Sequence, residues 1–139
     1  MKQRVQRFGR RGAMLMLFAC IYTAYGGALA TRIAPSGVEL LTGRLPSMVL
    51  VVPWVISAAL AALAALPRQA VPQWLGFTAL MPIPAVWALS YAASWLMWLA
   101  LGVGNQAGWA GALIWGLLVG VIAVVAGWPE ASPTPEPRL

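Results

Sequence analysis

The sequence predicts an all-α fold, a polytopic membrane protein built as a bundle of four transmembrane helices. Three observations predict it. Only 9% of the 139 residues are charged and 61% are hydrophobic, where a soluble domain carries about 25% charge. The few charges leave four long windows almost free of them. The basic residues gather ahead of the first window, as they do where a chain end is held on the cytoplasmic side of a membrane.

Residues 1–12 read as a basic cytoplasmic terminus carrying Lys2, Arg4, Arg7, Arg10 and Arg11. Each such cation contributes about 1 kcal/mol at an anionic leaflet, so the five are expected to anchor the terminus to the membrane surface rather than to bind nucleic acid. The first span, about 13–31, is closed by Arg32 and Pro35. Behind the basic stretch, Ala28-Leu29-Ala30 also fits the cleavage site of a secretory signal. The length of the apolar run and the three spans after it favour an uncleaved signal-anchor.

The second span, about 47–66, opens after Pro46 and closes at Pro67-Arg68. The third window, Trp74 to Leu101, would be about 42 Å long as a straight helix, more than the hydrocarbon core needs. Pro82 and Pro84 interrupt it. The preferred division leaves Trp74 to Met81 partly in the cytoplasmic interface and makes 82–101 the span, because proline suits a first helical turn. The fourth span, about 109–127, follows the turn Gly102 to Gln106. Residues 128–139 read as a Pro-rich disordered cytoplasmic tail. Strands fit poorly, since these windows lack alternating polarity.

Four crossings place Lys2, Arg4, Arg7, Arg10, Arg11, Arg68 and Arg138 inside, and only Arg32 and Arg44 outside. Both termini are therefore expected in the cytoplasm, with the chain in a bacterial inner membrane. Five tryptophans agree with headgroup boundaries: Trp74 and Trp128 at inner helix ends, Trp95, Trp98 and Trp109 near outer ones. Trp54, Trp87 and Trp115 sit deeper and read as packed or lipid-facing aromatic bulk rather than as a ligand-stacking set.

The inventory for chemistry is short. With no His, no Asp, one Cys and three Glu, a zinc site, a carboxylate pair and a Ser-His-acid triad all lack members. No catalytic site, metal or cofactor is expected. Cys20, in the middle of the first span, reads as a packing residue. The outer loop from Pro35 to Pro46 holds Glu39 and Arg44, with Ser36 and Glu39 spaced as a capping box. A capped surface turn is the plainer reading of it, and a cation or partner contact at Glu39 the functional one.

Gly108, Ala112, Gly116 and Gly120 recur every four residues along the fourth span, a small-residue stripe at which helix backbones approach closely. Ser57, Ala61 and Ala65 repeat the spacing in the second span, and Ala88 and Ala92 in the third. Packing within one chain is the first use of such faces; association with a second copy or a membrane-protein partner is the other.

Two transporter-like families match in size and depart in residues. Small multidrug resistance transporters carry a glutamate in the first helix, where this chain has Tyr22, Thr23 and Tyr25; four-helix fluoride channels carry a polar asparagine and a Thr-Thr-Phe pattern without counterpart here. In layout, with a basic head, Trp-rich spans, a Pro-rich tail and Arg in place of Lys, the chain resembles the small four-span membrane proteins of actinobacteria and their phages. That resemblance implies a location and an accessory or assembly role through helix packing. A holin-like, membrane-permeabilising role is the alternative.

Overall fold

The computed structural model describes residues 9–31, 47–66 and 71–129. Lys2, Arg4 and Arg7, the loop with Glu39 and Arg44, Arg68, and the tail from Glu130 lie outside the described residues. Among the described residues the regular elements are all helices: α1 Arg10–Ala30, α2 Ser47–Ala65, α3 Gln73–Leu80, α4 Pro82–Leu101 and α5 Gly108–Ala126. Three helices are long and apolar enough to cross a membrane: Arg10–Ala30, Gln73–Leu101 taken through its bend, and Gly108–Ala126. The apolar part of α2, Val49–Ala65, is shorter.

Two antiparallel pairs make the bundle. In the first, α1 lies along the Ala-rich face of α2, where Ala58, Ala61, Ala64 and Ala65 are all buried. Small side chains on α2 leave room for the larger ones of α1, and Leu15, Phe18 and Tyr22 occupy the same core. In the second pair, α4 packs on α5 across a tight connection. Gly102 ends α4 in the left-handed conformation, at φ 69°, and its N–H bonds to the Trp98 carbonyl at 2.9 Å. The chain then folds back over α4. Gly104, at φ 130°, lies so close to the Ser94 carbonyl that a side chain has no space there. The Asn105 N–H bonds to Ser94 Oγ at 3.1 Å, and Asn105 Oδ1 accepts from the Ala107 N–H at 2.9 Å, setting up the start of α5.

The short helix α3 joins the pairs, and its position differs from the sequence expectation. The break does fall at Met81, with Pro82 in the first turn of α4. It is not at an end of the bundle. Ala79 and Leu80 lie level with the middles of α1 and α2, where Tyr22 donates a hydrogen bond to the Leu80 carbonyl and Ser57 donates one to the Ala79 carbonyl at 2.8 Å. Pro84 has no N–H to offer Leu80, four residues earlier, so Tyr22 takes the place of that lost donor. A broken helix is tolerated in an apolar interior when neighbouring side chains satisfy the freed carbonyls. Phe77 and Leu80 are accordingly buried rather than interfacial.

Candidate functional site

Each long helix contributes one aromatic side chain to a single centre. Tyr25 of α1, Trp54 of α2, Trp87 of α4 and Trp115 of α5 meet pairwise in every combination, with ring centroids between 4.4 Å (Tyr25 and Trp54) and 6.3 Å (Trp87 with Tyr25 or with Trp54). Tyr22 extends the centre, 4.9 Å from Trp54. Rings at these separations pack on one another, each pair adding about 0.5–1.5 kcal/mol beyond simple burial. Trp54 is 1% exposed and Trp87 4%, so these two are packed and not lipid-facing, while Trp115 packs against them half-buried. The Tyr25 hydroxyl is buried there without a hydrogen-bond partner. Gly26 lets α1 approach: a Cβ on it would stand 3.1 Å from Trp54 Cβ.

The small-residue stripe of α5 divides in two. Gly108 is buried, and a Cβ there would meet the Tyr91 carbonyl at 2.7 Å and Trp95 Cβ at 3.0 Å. Ala112 packs partly buried against the core. A Cβ on Gly116 or on Gly120 would meet nothing within 4 Å, and both face outward among exposed Leu113, Leu117 and Val121. Geometry explains the split. Four residues advance a helix by about 400°, so the stripe drifts about 40° per step and has turned about 120° away by Gly120.

The face of α5 that does pack follows spacings of three and four instead: Gly108, Gly111, Trp115, Leu118, Ile122 and Val125. Gly111 is its closest contact, since a Cβ there would lie 2.5 Å from Tyr91 Cδ1. Neither Gly111 nor Gly76 stood out in the sequence. Gly76 lets α3 sit against both its neighbours, with a Cβ position 2.7 Å from Ala64 Cβ and 3.1 Å from Leu15 Cδ2. The signal for Gly111 was its place three residues after Gly108 and four before Trp115.

Of the anchoring cations, the structure describes Arg10 and Arg11 at the start of α1. Arg10 is exposed, while the Arg11 guanidinium carbon lies 5.4 Å from the centre of the Phe77 ring. Cys20 is free and exposed on the outside of α1, so it does not pack in the core as expected. Among the described residues no group of three His, Cys, Asp or Glu side chains is placed to hold a metal ion. What the arrangement offers is a close-packed aromatic centre and one helix with a bare small-residue face. No known protein family, curated protein or solved structure matches the chain.

Proposed function

We propose that the chain is a non-enzymatic integral protein of the bacterial inner membrane, crossing it four times with both termini in the cytoplasm. It acts as an accessory or assembly partner through the outward face of α5. One observation carries this reading: Gly116 and Gly120 open onto empty space on the least covered helix. Only 11% of the α5 window is buried within the bundle, against 33% for each of the other two candidate spans. A helix that spends its inward glycines on Tyr91 and keeps two more pointing outward has a second packing face to offer.

Replacing both Gly116 and Gly120 with Leu tests it. Association measured in membranes by energy transfer between labelled chains, or between the chain and its partner, is expected to fall while the fold stays intact. Unchanged association overturns the reading.

The same face favours a second reading, because identical copies present identical grooves and can cluster laterally. That is the holin-like role. Induction in a bacterium separates the two: abrupt dye entry after a fixed delay supports lateral clustering that opens the membrane, and continued growth with an intact membrane supports the accessory role.

A further inference from the structure

The close backbone approaches of this bundle all fall inside one of two groups of helices. Gly26 brings α1 to α2, and Gly76 brings α3 to both, with the Tyr22 and Ser57 hydroxyls fixing the end of α3. Gly104, Gly108 and Gly111 bring α5 and its connection onto α4, where Ser94 Oγ accepts from the Asn105 N–H. Helices α1, α2 and α3 are thus one unit, and α4 with α5 the other.

The seam between the units is built differently. Among the described residues no glycine approach and no hydrogen bond joins α1 or α2 to α4 or α5. Side chains fill it instead: Tyr25 and Trp54 from one unit face Trp87 and Trp115 from the other, with ring centroids 5.2 to 6.3 Å apart across the seam. Such contacts have no directed bond to break. The Tyr25 hydroxyl lies among them, buried and without a partner. Its lost hydration is not repaid while the seam is closed, and water reaches it when the seam parts.

The chain itself joins the units only at Met81–Pro82. Pro82 and Pro84 give no N–H to the Thr78 and Leu80 carbonyls, which weakens the helix at that point. Because α5 runs antiparallel to α4, its end, with Ile122 and Val125 buried, meets α3 on the near side of the break. The rings lie on the far side, Trp87 standing five residues beyond Pro82.

We propose that α4 and α5 swing as one unit about Met81–Pro82, and that the seam of four rings opens and closes while α1, α2 and α3 stay together. Opening hydrates the Tyr25 hydroxyl and uncovers the rings; closing buries the rings and strands that hydroxyl. A hinge of this kind needs only a few backbone angles to change. The motion belongs to the joint between the helix pairs and does not depend on the outward face of α5.

Distances between paired spin labels, measured by pulsed electron resonance on the full chain in lipid vesicles, test the proposal. Cys20, the single cysteine of the chain and exposed on α1, takes one label. The second is placed through Leu96→Cys in α4 or Ile56→Cys in α2, both at exposed positions. Position 96 lies on an arm of about 21 Å from Pro82, which moves about 4 Å for each 10° of swing. An excess of unlabelled chain keeps the measured distances within one molecule. The pair at 20 and 96 is expected to show two distances several ångströms apart, and the pair at 20 and 56 only one. Tyr25→Phe keeps the ring and removes the stranded hydroxyl, and is expected to lower the longer-distance population about fivefold or more. A single distance for the pair at 20 and 96 overturns the swing. Two distances for both pairs overturn the division into units, and an unchanged population in Tyr25→Phe overturns the part given to the hydroxyl.

Discussion

Two halves of α5 use the same residue type for opposite ends. Gly108 and Gly111 are filled by α4, with the Tyr91 ring and backbone pressed where their side chains would be. Gly116 and Gly120, two turns further along, touch nothing. A glycine in an apolar helix gives up helix propensity of about 1 kcal/mol relative to alanine. In the first half the structure shows the return, a close helix crossing. In the second half the return has to come from outside the chain or not at all, and that contrast makes α5 the element to perturb.

The largest effect is expected at the centre on which the inward half depends. Trp54→Ala removes the ring that touches Tyr22, Tyr25, Trp87 and Trp115 at once, and is expected to cost about 3–5 kcal/mol. Thermal unfolding in detergent reads it. Trp74→Ala, at an exposed ring, is the control and is expected to shift the midpoint little. Similar shifts for the two would mean that the four-ring centre does not hold the helix pairs together.

Next comes the contact that defines the inward half. Gly111→Leu forces a side chain into a position 2.5 Å from the Tyr91 ring, a ring that is itself buried in the core. A loss of about 3 kcal/mol is expected from overpacking of this kind, with separation of α4 from α5. A variant as stable as the parent chain would mean that α5 packs on a different face.

A third effect tests the join between the two helix pairs. Tyr22→Phe keeps the ring and deletes the hydroxyl that satisfies the Leu80 carbonyl. Leaving that carbonyl unpaired inside the bundle is expected to cost about 1–3 kcal/mol. Ser57→Ala, which frees the Ala79 carbonyl, is expected to cost no more. Hydrogen exchange along Gln73–Leu80 should rise in both variants, and unchanged protection would show that α3 is held by Gly76 and Phe77 alone.

These residues also mark where the sequence was readable. The apolar windows and the break before Pro82 were legible, because lipid length and a missing N–H act within one segment. The depth of that break was not. It depends on hydroxyls 58 and 22 residues away in the chain, and pairing at that distance leaves no local trace. The tryptophans of the centre were visible as deep residues, yet hydropathy is even around these helices and gives no face to assign. The stripe on α5 was visible and its direction was not, since a period of four drifts around a helix of 3.6 residues per turn. Gly111, off the stripe, carries the tighter contact.

The smallest expected change in the fold belongs to the outward half, and it sharpens the comparison most. Gly116→Leu with Gly120→Leu adds side chains where nothing lies within 4 Å, so no contact within the chain opposes them. Leucine is the better helix former by about 1 kcal/mol per site. The unfolding midpoint is therefore expected to hold or rise slightly, the reverse of Gly111→Leu on the same helix. Association through the face is expected to fall in the same variant, because branched side chains keep a second backbone away. Stability and association moving in opposite directions would identify a face kept for contact with another chain. A fall in both would mean that Gly116 and Gly120 serve the bundle itself, through a packing tighter than the one described.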